Sequence, residues 1–171
     1  MHEQPAVTPS MIKQFLQQYA DDARSLALMK ERLSTMEAKS GDAGTAKLTG
    51  MPRGSGDVVD VIGRTLTVLD TLRAAVDSAE LQLAERRQRT EAVINVLRDK
   101  RVLRWPEKCN LLSLKYVDGI GWPDVTEILF GDDARFWEAQ ETFTRKTYAL
   151  HRQALEELAQ LVEPSMLDDY V

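Results

Sequence analysis

A chain of 171 residues with 43% hydrophobic and 29% charged residues can build one ordinary domain, or a small domain carrying an extended arm. Disorder throughout is excluded by that apolar content, an internal disulfide by the single cysteine, Cys109, and a zinc site by the lack of ligand spacing around His2 and His151. A net charge of −5 excludes a protein that coats nucleic acid indiscriminately, because such affinity comes mainly from neutralised phosphates.

Leu, Ala, Arg, Asp and Glu are abundant and aromatics make up only 6%, which favours an all-α fold. The amino terminus has no apolar signal core and no apolar run approaches the ~18 residues that span a bilayer, so a cytoplasmic protein without a membrane partner is expected.

Thr8-Pro9-Ser10 marks a helix start, and Ile12, Phe15, Leu16, Tyr19, Ala23, Leu26, Leu33 and Met36 follow at helical spacing, predicting a helix over about 9–39. Ser40-Gly41 is expected to stop it, and five of the nine glycines plus Pro52 fall between there and Gly56, predicting a connecting loop over 40–56. Asp57 caps a second helix whose stripe of Val58, Ile62, Leu66, Leu69, Leu72, Val76, Ala79, Leu83, Ile94 and Leu97 runs almost to Arg101. Such a helix is on the order of 65 Å long. One small core cannot cover it, so an antiparallel, coiled-coil-like hairpin with the first helix is expected. Ile94 and Leu97 lie beyond the reach assumed for that partner, which predicts a homo-oligomer.

Trp105-Pro106-Glu107 opens a third helix with Leu111, Leu112, Leu114 and Tyr116 as its apolar positions, and Asp118-Gly119-Ile120-Gly121 breaks it. Trp122-Pro123-Asp124 begins a short fourth helix through Val125, Ile128, Leu129 and Phe130, ended by Gly131. A fifth, capped by Asp132 or Asp133, is expected to bury Phe136, Ala139, Phe143, Leu150, Ala154, Leu158 and Leu161 until Pro164 closes it. The expected organisation is a flexible terminus over 1–8, a helical arm over 9–104, a helix-turn-helix module over 105–163 and an acidic tail over 164–171.

Charge is unevenly distributed. Ala84 to Tyr116 holds nine Lys or Arg residues against four acids, whereas only acids follow Arg152. Helix, glycine turn, short helix, glycine turn and amphipathic helix is the layout of a helix-turn-helix with its reading helix last.

Leu111-Leu112-Ser113-Leu114-Lys115-Tyr116-Val117-Asp118-Gly119 followed by Trp122-Pro123-Asp124-Val125 resembles sigma-factor region 4 and its phage relatives. The closest resemblance is to phage and prophage proteins of Gram-positive bacteria related to the ArpU and RinA-type late transcription regulators. Met51-Pro52-Arg53-Gly54 ahead of a long helix, Phe130-Gly131-Asp132-Asp133, Arg145-Lys146, Tyr148, Leu150-His151 and Ala154-Leu155 carry the likeness over roughly 48–158. It differs at Thr126, where region 4 places an alanine between the two helices, and in the inserted stretch around 134–141. The likeness implies a regulator acting in a bacterial host cell, at promoter DNA, on host RNA polymerase, or on both.

The basic residues after the second glycine turn stand where a reading helix meets double-stranded DNA. Arg145 and Lys146 are the principal expected contacts, with Arg135, Thr142 and Arg152 in support. Arg86, Arg87, Arg89 and Arg53 are candidate contacts to a DNA backbone or an acidic partner, or plain solvated surface. Trp105, Trp122 and Trp137 are expected in the core or at its boundary, Cys109 as a small core residue, and His151 as a packed or capped imidazole. No nucleophile can be paired with a base by spacing, and Met51 to Gly56 lacks the ending of a phosphate loop, so no enzyme, cofactor or metal is expected. The alternative readings are a helical adaptor or inhibitor of another host protein, and a DNA-packaging accessory.

Overall fold

In the computed structural model, which describes residues 6–43 and 57–167, every regular element is helical. The helices are α1 (Pro9–Ala43), α2 (Asp57–Asp99), α3 (Trp105–Leu112) continued by a π-helical turn (Ser113–Val117), α4 (Trp122–Phe130), α5 (Gln140–Leu161) and a closing 3₁₀ turn (Pro164–Leu167). The all-α expectation holds. The N-terminal residues 1–5, most of the expected loop and the end of the acidic tail lie outside the described residues, as do the side chains of Val58 and Ile62. One expectation fails at Gly41, because α1 continues through Ala43. A lone glycine costs a helix only about 1 kcal/mol relative to alanine, too little to end it.

Two compact units divide the chain: Asp22–Leu83, the hairpin unit, and Met1–Asp21 with Ala84–Val171, the core unit. The division falls inside both long helices and not at residue 105.

In the hairpin unit the two helices run antiparallel. Lys30 pairs with Glu80 at 2.5 Å and Glu37 with Arg73 at 2.8 Å, so the partner position retreats along α2 as α1 advances. Leu26, Leu69 and Val76 are buried, and Met29, Leu33, Met36, Leu72, Ala79 and Leu83 are half-buried. Their alternating steps of three and four make the seam of a coiled-coil-like pair. The exposed ion pairs contribute only ~0–1 kcal/mol each, so the apolar seam carries the stability.

The core unit gathers the beginning of α1, the end of α2 and all the later helices. Ile12, Leu16, Val93, Ile94, Leu97, Leu111, Leu112, Tyr116, Val125, Leu150, Ala154, Leu158 and Leu167 form one buried cluster. Ile94 and Leu97 retain only 2% and 0% exposure. The expectation that they need an intermolecular cover is therefore overturned: helices of their own chain bury them. α2 is continuous through the polar stretch 85–90, and Thr90 is buried.

Proline sets the starts of α3 and α4, where an amide hydrogen would have no partner. Gly119, at φ 69°, supplies the left-handed turn between them. Gly131 ends α4, and a Cβ there would fall 2.5 Å from the Glu127 carbonyl oxygen. The expected extension of the last helix back to Asp132 and Asp133 does not occur; turns occupy that stretch until α5 starts at Gln140. The Asp133 carboxylate instead accepts the Arg135 amide hydrogen at 2.9 Å, a local bond that competes with a helix start. Phe136 accordingly reaches the interior from a turn rather than from a helix face.

Candidate nucleic-acid interface

α4 and α5 lie against one another with α3 contacting both. At one end of the pair the Phe130 and Phe143 rings sit 5.5 Å apart, and Phe136 packs on Phe143 at the same separation. At the other end Trp122 meets Tyr148 and His151, each at 4.9 Å between ring centroids. Lys115, on the π-helical turn, lies 5.0 Å over the Trp122 ring and donates to the Ile120 carbonyl at 3.3 Å. Thr126 is buried on α4, and its hydroxyl donates to the Trp122 carbonyl at 2.9 Å, so the extra oxygen relative to alanine has a partner. No buried side-chain nitrogen or oxygen among the described residues lacks one.

α5 is fastened to the rest of the unit by two polar contacts. The Tyr116 hydroxyl stands 2.9 Å from His151 Nε2, and both side chains are buried. Burial pushes the Tyr116 phenol up to about 12. Burial, with help from Lys13 and Lys115, pushes the His151 imidazole down to about 4, so it is neutral near pH 7. His151 is thus a packed imidazole. Lys108, also buried, donates to Glu157 at 2.7 and 2.8 Å and to the Leu103 carbonyl at 2.7 Å, which uses all three ammonium hydrogens.

The opposite face of α5 is exposed. Thr142, Arg145 and Lys146 share its first two turns, and Arg152 stands two turns further along. Arg145 pairs with Glu141, Arg152 Nε lies 3.7 Å from Glu156, and Lys146 Nζ lies 4.6 Å over the Phe143 ring. Arg135 is not on α5; it sits in the preceding turns, 3.5 Å from Asp133. Hydrogen bonds from Arg135, the backbone one foremost, hold the Asp133 carboxyl below its usual range. Arg86, Arg87 and Arg89 belong to α2, with Arg86 half-buried and Arg87 bonded to Glu91 at 2.8 Å. Arg53 lies outside the described residues.

Tyr148 stands between Arg145 and Arg152 along the exposed face, and periodicity does not mark it as a contact residue, because its i+3 spacing from Arg145 is equally that of a core stripe. Trp105 and Trp122 are half-buried as expected, whereas Trp137 is 66% exposed and Ile128 54% exposed. Trp137 departs from the boundary position because the turns before α5 aim Phe136, not its neighbour, inward. Cys109 is half-buried, its sulfur 3.5 Å from the Ile94 carbonyl oxygen, and burial raises its thiol above the usual range. No His, Cys, Asp and Glu group among the described residues could hold a metal ion, and no described helix is long and apolar enough to cross a membrane.

No family model, curated protein or solved structure matches this chain.

Proposed function

We propose that the chain is a phage-type regulator that binds double-stranded DNA through α5, in the manner of sigma-factor region 4, at promoter DNA or together with host RNA polymerase. The supporting observation is the α4–α5 pair: α5 buries one face against α3 and α4 and leaves the other free with Thr142, Arg145, Lys146, Tyr148 and Arg152. A rigid helix with cationic and hydrogen-bonding side chains on its free face suits entry into the major groove, with guanine edges and phosphates as partners for the arginines. Binding of the full chain to duplex fragments, followed by fluorescence anisotropy across a salt series, tests this. Arg145→Ala is expected to weaken binding to a preferred duplex by ~1–3 kcal/mol if it reads a base, and Lys146→Ala to lower the salt slope by about one if it meets a phosphate.

A second reading has its own observation. Arg145 and Arg152 are each paired with a glutamate one turn away on the same helix, which weakens their pull on phosphates. That arrangement suits a helical adaptor that docks on a host protein. Unaltered, salt-insensitive behaviour of the chain in the presence of DNA favours it.

A further inference from the structure

The connection between α2 and α3 carries a cationic cluster whose local geometry is unusual. α2 ends in a doubly bonded turn: the Arg101 amide donates to the Arg98 carbonyl at 2.9 Å and the Val102 amide to the Leu97 carbonyl at 3.0 Å. In this motif the residue after the helix adopts the left-handed conformation and is most often glycine. Here it is Arg101, at φ 50°, and Arg104 repeats the conformation at φ 58°. Arginine is disfavoured at both positions relative to glycine. Val102 packs against the core, Leu103 is left 81% exposed, and Lys100 and Arg101 point into solvent.

Neighbouring charges do not neutralise this pair. Arg98 is matched by Asp99 and Arg104 by Glu107, but the side chains of Lys100 and Arg101 have no hydrogen-bond or ion-pair partner among the described residues. The arginines on the free face of α5 do have such partners, as described above. The turn is also held to α5, because Lys108 bridges the Leu103 carbonyl to Glu157. Glu157 lies twelve residues beyond Arg145, about 18 Å along the helix axis.

We propose that the turn Lys100–Arg104 is a second nucleic-acid contact, in which Lys100 and Arg101 hold phosphates of the duplex backbone flanking the groove that α5 enters. The inference rests on the reading of α5 given above. A major groove is about 12 Å wide, and Glu157, where the turn is held, lies farther than that from Arg145 along α5, at ~18 Å, so the turn is set to meet flanking backbone rather than the bases beside Arg145. Leu103, two residues beyond Arg101 and exposed, supplies an apolar contact to a deoxyribose. The contact adds affinity without sequence preference.

The test uses the full chain and a variant carrying Lys100→Ala and Arg101→Gly. Glycine suits the left-handed position, so the variant is expected to melt at the wild-type temperature or above, and Lys100→Gln alone provides a variant with no backbone change. Anisotropy titrations over a salt series, on a preferred and a scrambled duplex, should show the log-affinity against log-salt slope reduced by about two in the double variant and about one in Lys100→Gln. The ratio of the two affinities should stay as in wild type. Wild-type slopes in both variants overturn the turn contact and leave the α5 reading standing. Wild-type protein that binds neither duplex overturns both.

Discussion

The Tyr116 hydroxyl and His151 Nε2 meet at 2.9 Å where the π-helical turn touches α5, with the Trp122 ring set edge-on against the same imidazole. The imidazole is neutral in the fold because burial, aided by Lys13 and Lys115, brings it down to about 4. An unfolded histidine titrates near 6.5. Between those values the unfolded chain binds more protons, so the stability from this group is full above about pH 6.5 and falls as the pH drops toward 4. The shift corresponds to about 3 kcal/mol at most. Thermal melts of wild type and His151→Gln from pH 7.5 to 4 should converge as the pH falls. Parallel curves would show that His151 does not carry this dependence.

The Lys108–Glu157 pair predicts an asymmetric pair of substitutions. Lys108 is buried and Glu157 keeps partial access to water. Glu157→Ala strands an ammonium in the interior and is expected to cost about 3 kcal/mol, the low end of the range for broken buried pairs because water can still reach the site. Lys108→Met leaves a carboxylate that can turn to solvent and should cost less. A double-mutant cycle by chemical denaturation measures the coupling; equal costs for the two single substitutions would contradict the geometry.

Leu69 and Val76 lie in the seam of the hairpin unit. Aspartate at either position places an unpaired charge between the helices, with an expected loss of several kcal/mol. Far-UV circular dichroism should show a large loss of helical signal in either variant, whereas Leu81→Asp, at a highly exposed position, should leave it unchanged.

Helix starts were legible because Pro9, Pro106 and Pro123 mark them by a single covalent property, the missing amide hydrogen. The seam was legible because Leu26, Leu69 and Val76 repeat with the helical period. Less could be read where the outcome depends on competition. Whether Asp133 caps a helix or closes a local turn is decided by small differences between hydrogen bonds, and Phe136 and Trp137 exchange inside for outside with that choice. The cover over Ile94 and Leu97 depends on contacts distant in sequence, which periodicity does not specify. Left-handed Arg101 and Arg104 carry no glycine to announce them. On the candidate interface, the basic residues of α5 could be located, and the one-turn spacing of Arg145 from Glu141 and of Arg152 from Glu156 already put acids on the same face.

On the proposed reading, the free face of α5 meets duplex DNA. The most direct measurement is the affinity of the full chain for genomic duplex fragments from its own source, across a salt series, for wild type and Arg145→Ala, with and without host RNA polymerase. Binding should weaken with salt, and Arg145→Ala should lose ~1–3 kcal/mol on the preferred sequence. Binding that is absent in wild type under every condition, polymerase included, would contradict that reading.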